Sequence, residues 1–100
     1  MKELCRFDPY VLETLLPDLV GHDRQPSAFL VYLRLWRLTH GAGLPTVQVP
    51  LRDLAADTGL SKRAVQDALA RLVRRRLLEA ARDGITAVAV YTVLQPWRRK

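Results

Sequence analysis

The chain has one cysteine, Cys5, in 100 residues, so neither an intrachain disulfide nor a cysteine-based metal cluster is open to it. A lone cysteine near a terminus reads as a small apolar residue. The two histidines, His22 and His40, fall in connections with no third ligand at metal-binding spacing, and no glycine-rich phosphate loop is present. Asp53 and Asp57 stand four apart on a short helix, where two surface acids ordinarily face solvent or cap. With no catalytic constellation, neither enzyme activity nor a cofactor is expected. The longest uninterrupted apolar stretch in mid-chain, residues 28–33, falls far short of the roughly 20 residues that span a bilayer. Glu3, Arg6, Asp8, Glu13 and Asp18 interrupt any signal-peptide core in residues 1–20. A cytoplasmic location without a membrane segment is therefore expected.

What the chain does have is enough apolar residue, 49%, for one core, and too little length for a binding module plus a separate effector domain. Sixteen Lys and Arg against ten Asp and Glu give a net charge of +6, a surplus that attracts polyanions, nucleic acid before an anionic membrane surface.

Asp8 followed by Pro9 starts a helix, because the carboxylate caps free amides and proline suits the first turn. Val11, Leu12, Leu15 and Leu16 give it an apolar face, and Pro17 ends or kinks it. Residues 19–27 read as a connection with two candidate caps, Asp23 and Ser27. Residues 28–39 form a helix that is apolar almost all round, Arg34 and Arg37 making one wet strip, so it needs cover on more than one side. Tyr32 and Trp36 on it read as core. His40-Gly41-Ala42-Gly43 stops that helix, and residues 47–50 alternate as a short strand ended by proline. Residues 51–57 form a short helix, Thr58-Gly59-Leu60 a tight turn, and Ser61 caps a helix running to about Arg76. A strand over residues 77–82, a two-residue hairpin turn at Asp83-Gly84 and a strand over residues 85–94 follow. Trp97 sits beside a basic tail, as an anchor to the domain or a dimer contact rather than a base-stacking platform.

Residues 51–72, LRDLAADTGLSKRAVQDALARL, resemble the helix-turn-helix signature, and each shared position has a steric reason. Leu54 and Val65 meet across the two helices, and Ala55 is small where they cross. Gly59 supplies the positive φ of a sharp turn, and Leu60 plugs it. Val65, Leu69 and Leu72 make the buried stripe of the second helix, leaving Lys62, Arg63, Gln66, Asp67, Ala70, Arg71 and Arg74 as a polar face. With a preceding helix, a short strand and a following hairpin, residues 23–94 are similar to the winged helix-turn-helix superfamily of mostly prokaryotic regulators and replication initiators. The long flanking dimerisation helices of the multiple-antibiotic-resistance regulators are absent, as is the ligand-binding domain of the gluconate-repressor family. The expected fold is thus mainly α with a three-stranded antiparallel sheet. Residues 1–22 would be an N-terminal extension for packing or dimerisation, 23–95 the winged domain and 96–100 a basic tail.

The resemblance implies binding to double-stranded DNA, with residues 61–76 in the major groove. Ser61, Lys62, Arg63, Gln66 and Asp67 are the candidate base contacts. Arg71, Arg74, Arg75, Arg82, Arg98, Arg99 and Lys100 are the candidate phosphate contacts, Arg82 through a wing too short for the minor groove. Cations at a helix C-terminus also complement its dipole, and Arg76 is expected to do only that. A homodimer built on the N-terminal helix and residues 28–38 would double the contacts of one short helix. The chain then reads as a sequence-specific transcriptional regulator. A protein-interaction module of a larger complex, or a replication or plasmid-partition factor, stands beside that reading.

Overall fold

A computed structural model describes residues 4–84 and 87–98. Asp8 starts the first helical turn as its type predicts, its Oδ1 accepting from the Tyr10 amide at 3.0 Å. The chain then winds through two π-helical segments, Val11–Leu15 and Pro17–His22, closed by bonds from the Leu16 amide to the Val11 carbonyl and from the Asp23 amide to the Asp18 carbonyl. The pattern predicts an end or kink at Pro17 and a connection over residues 19–27. Instead the winding continues to His22. Val11, Leu15 and Leu19, spaced by four, are all buried, and stopping at Pro17 would leave Leu19 outside the core. The wider π turn accommodates a residue that has no amide to donate. Leu12 and Leu16, expected on the packed face, are exposed.

Helix α1, Pro26–Leu38, begins with proline at its first position, and its cap residue is Gln25 with no side-chain bond. Neither expected cap serves: Ser27 lies inside the helix, and the Asp23 carboxylate is turned to arginines. Ala28, Phe29, Val31, Tyr32, Leu35 and Trp36 are buried, and Leu30 is the exposed large side chain of this helix. Its cover comes from the N-terminal segments, two further helices and a strand of the same chain. The aromatic polar atoms are satisfied, Tyr32 Oη donating to the Leu94 carbonyl at 2.9 Å and Trp36 Nε1 to the Arg6 carbonyl at 2.7 Å. Thr39, fully buried, donates back to the Leu35 carbonyl. A 3₁₀ turn, His40–Ala42, and Gly43 at φ 73° then end the segment. The apolar girdle that suggests a dimer through residues 28–38 is thus covered within one chain.

Helix α2, Leu51–Thr58, stops at Gly59, φ 74°, and Leu60 returns its amide to the Ala55 carbonyl. Ser61 caps α3, Lys62–Arg74, by accepting from the Ala64 amide at 3.0 Å. The buried stripe of α3 is Val65, Ala68 and Leu72; Leu69, expected in it, is half-buried. α3 ends two residues before Arg76, which takes a left-handed φ of 61° while the Leu77 amide bonds the Leu72 carbonyl. That closure buries Leu77 over Leu72 and turns the chain into the sheet.

The sheet has the order β1-β3-β2, all antiparallel, with β1 at Val47–Gln48, β2 at Leu78–Ala81 and β3 at Val90–Val93. Ala81 faces Val90, so the connection is residues 82–89 and not a two-residue turn at Asp83-Gly84. Ile85 and Thr86 of the expected strand lie outside the described residues. A two-residue turn would set Tyr91 opposite Arg76, at the left-handed helix end where no strand exists. The observed register sets it opposite Ala80 and buries Ala89, Tyr91 and Val93. Helices α1 to α3 and this sheet form a winged helix-turn-helix.

The two glycines predicted to govern turns should therefore behave differently. Gly59→Ala is expected to cost about 1 kcal/mol, since a Cβ is strained at its φ. Gly84 has no positive φ, and a Cβ at that position would meet open space, so Gly84→Ala should stay within about 0.5 kcal/mol of the parent. Urea denaturation of both variants measures the contrast, and equal losses would restore a tight turn at Gly84.

Candidate nucleic-acid interface

With Val65, Ala68 and Leu72 held in the core, the opposite side of α3 is turned to solvent. Lys62, Arg63, Gln66, Asp67, Ala70 and Arg74 are exposed on it. Ser61 stands at the helix start with its oxygen used by the cap, leaving its O–H to donate. Arg63 Nε lies 3.5 Å from Asp67 Oδ1 with both side chains well exposed, a pair that water screens to a small energy and a stronger acceptor displaces. The residues expected to read bases therefore share one accessible face on the first two turns.

The structure divides the expected phosphate contacts. Arg74 is exposed and meets no acid among the described residues, and Arg82 is exposed at the start of the 82–89 connection. Arg75 points elsewhere: its guanidinium bonds Asp18 at 2.5 Å and Asp23 at 2.6 Å. Arg71 Nε donates to Gln25 Oε1 at 2.9 Å, and its NH1 lies 3.8 Å from Asp23. The reason is helical spacing. Residues 68, 71, 72 and 75 fall on one side of α3, so Arg71 and Arg75 border the buried stripe instead of the solvent face. Both arginines fasten α3 to the N-terminal segments. His22, whose Nδ1 is 2.9 Å from Asp23 Oδ1, and then Arg75 and Arg71 hold the Asp23 carboxyl below its ordinary range, against the opposing effect of burial.

Asp18, His22 and Asp23 are also close enough to share a cation. The guanidinium of Arg75 already neutralises those carboxylates, so they form a clasp within the protein. Arg34 on α1 pairs with Asp57 on α2 at 3.0 Å, and Asp53 lies 3.8 Å from exposed Arg52.

In the tail, Trp97 stacks on Tyr10 with centroids 4.4 Å apart and donates Nε1–H to Asp8. Trp97 anchors the tail to the domain. Arg98 lies 3.4 Å from the same carboxylate, while Arg99 and Lys100 lie outside the described residues. The Tyr10 amide, then Trp97 and Arg98, hold the Asp8 carboxyl below its usual range. Sequence reasoning passes over Arg52, exposed on α2; the first helix of the motif crosses a duplex backbone, and that position is the available signal.

A family profile described as a helix-turn-helix domain matches residues 25–78. The chain belongs to this family. The matched span runs from the residue before α1 into β2, and so contains the Gly59 turn, the Ser61 cap and the whole of α3. Family membership supports DNA binding. Asp18 and Asp23, which hold Arg75, lie outside the matched span. No curated protein and no solved structure matches the chain. Among the described residues no helix is long and apolar enough to cross a membrane.

The clasp makes an acid-sensitive contribution to stability. A carboxyl whose pKa is lowered by folding stabilises the native state fully above its unfolded value, 3.8 for Asp23, and loses that contribution as pH falls through the lowered native value. Asp23→Asn should cost about 1–3 kcal/mol at pH 7, because Arg75 loses a well-buried partner. The gap between parent and variant should close at more acid pH. Urea unfolding at pH 7 and at about pH 2 tests this; a gap unchanged by acid would mean that the Asp23 charge plays no part.

Proposed function

We propose that the protein is a cytoplasmic, non-enzymatic regulator of transcription that recognises a specific duplex DNA sequence with α3 in the major groove. The observation that carries the reading is the outer face of α3. It presents Lys62, Arg63, Gln66 and Arg74 together while the inner face is pinned by Val65, Ala68 and Leu72. Arginine or lysine reads guanine and glutamine reads adenine in the major groove. Arg74, Arg82 and Arg52 supply phosphate contacts, and the net charge of +6 draws the duplex in. Arg71 and Arg75 are assigned to the clasp.

A homodimer remains part of the proposal, because one short helix secures few base contacts. Its apolar surface would be Leu12 and Leu16 on the N-terminal segments, both exposed, in place of α1. Sedimentation at micromolar protein should give about twice 11.4 kDa, and a monomer at that concentration would remove the palindromic site from the proposal.

Reading and positioning separate in binding isotherms on a site selected from random duplex and on random duplex itself, at several salt concentrations. Arg63→Ala and Gln66→Ala should each cost about 1–3 kcal/mol at the selected site and change little on random DNA. Arg74→Ala should weaken both and lower the salt slope by about one. Arg75→Ala should lower stability and leave the slope unchanged. Equal losses on both duplexes for Arg63→Ala and Gln66→Ala would remove the reading role from α3, and no binding even at low salt would overturn the proposal.

A further inference from the structure

Between the outer side of α3 and the sheet lies an open groove of about 790 Å³, within the range of small-molecule sites. Four alanines line it, Ala70 on α3, Ala80 on β2, and Ala87 and Ala89 before β3. Their short side chains leave helix and sheet unjoined there. Leu69, Val73 and Val88 give the groove an apolar lining, and the last two are 44% and 39% exposed.

Its charged groups are of one sign. Gln66, Arg74 and Arg82 line it, and no acid does. Tyr91 also lines it while only 4% exposed, and its hydroxyl meets no hydrogen-bond partner among the described residues. Burial raises the Tyr91 pKa, and the Arg82 charge opposes that rise, so the guanidinium is felt at the hydroxyl. A hydroxyl that can donate into the groove, beside cations without acids, is complementary to an anion. The apolar lining asks for a hydrocarbon body attached to it. A duplex is too wide to enter such a groove, and a second copy of the chain, itself carrying +6, would bring positive charge to a positive rim.

We propose that this groove binds a small amphipathic anion, an aromatic or short aliphatic body ending in one carboxylate. The body lies against Leu69, Val73 and Val88, and the carboxylate is taken by the rim arginines and the Tyr91 hydroxyl. Gln66 and Arg74 belong both to the groove and to the outer face of α3, so an occupied groove competes with DNA. That competition rests on the proposed DNA binding; the occupancy does not.

Calorimetric titration of the full chain, without DNA, with 2-naphthoate and with its neutral methyl ester is the test. Saturable one-to-one binding of the acid, and weaker binding of the ester, is the expected result. Ala70→Trp fills the groove from an exposed helix position and should weaken naphthoate binding at least about tenfold, and Arg82→Ala or Tyr91→Phe about threefold or more. Circular dichroism and thermal melts establish that each variant is folded, and Ala80→Phe provides a second filling variant if Ala70→Trp is not. No saturable binding to the parent chain, or an unchanged affinity in the folded filling variant, overturns the site. Equal affinity for acid and ester overturns the anion assignment. In a second arm, naphthoate should displace random duplex from the parent chain. Binding without displacement overturns the competition and leaves the site standing, and a parent that binds naphthoate but no duplex overturns the DNA reading alone.

Discussion

Helix α1 carries apolar side chains around nearly its whole circumference, and a hundred-residue chain has to assemble a sheath for it from its own segments. The second N-terminal π-helical segment, α2, α3 and β3 all pack on it. The two large aromatic side chains extend this dependence to both ends of the chain. Trp36 draws in the backbone at Arg6, and Tyr32 draws in the backbone at Leu94. Losing an aromatic side chain from such a position costs about 3–5 kcal/mol, a large part of the stability of a small domain. The residues before α1 are therefore part of the core that the winged domain is built on, although the family match begins at residue 25.

The orientation of α3 follows from that packing. Ala68 is fully buried and small, which lets α3 come close to its neighbours, and Val65 and Leu72 on either side of it fix the rotation about the helix axis. Once that rotation is set, every other position on α3 has its destination. Residues 62, 63, 66, 70 and 74 face solvent, and 71 and 75 face the acids of the N-terminal segments. Solvent face and scaffold thus divide one basic helix by angle, with Arg74 and Arg75 adjacent in sequence and opposed in direction.

What is legible in the sequence is local. The Asp8 cap, the Gly59 turn, the Ser61 cap and the order of elements each depend on residues a few positions apart, and each is as the residue types demand. The features that depart from expectation share the opposite property. Pro17 carries a local stop signal, but the burial of Leu19 outweighs it. Asp83-Gly84 carries a local turn signal, but the register that buries Tyr91 and Val93 against β2 and the core places the connection at residues 82–89. A turn preference is worth about 1 kcal/mol, and burying an aromatic and an aliphatic side chain is worth several times that. Arg71 and Arg75 have partners 46 and 57 residues away, and their charge alone does not distinguish a clasp from a phosphate contact. The place of both beside Ala68 and Leu72 on the helix is readable, and it is the better guide.

A net charge of +6 says that polyanions are attracted, but not to which side. At physiological ionic strength charges are screened within about 8 Å, so the field near the surface is set by which cations lack a close acid. Arg34, Arg71, Arg75 and Arg98 each have one within 4 Å. Lys62, Arg74 and Arg82 have none among the described residues, and Arg63 has only an exposed, screened one. In the proposed interface the acids thus matter as much as the arginines do. Asp8, Asp18, Asp23 and Asp57 neutralise cations elsewhere on the fold, while Lys62, Arg74 and Arg82 keep unneutralised charge on the outer face of α3 and the adjoining edge of the wing. The contacts that hold the N-terminal segments and the tail in place thereby also keep their acids and arginines away from the proposed duplex face.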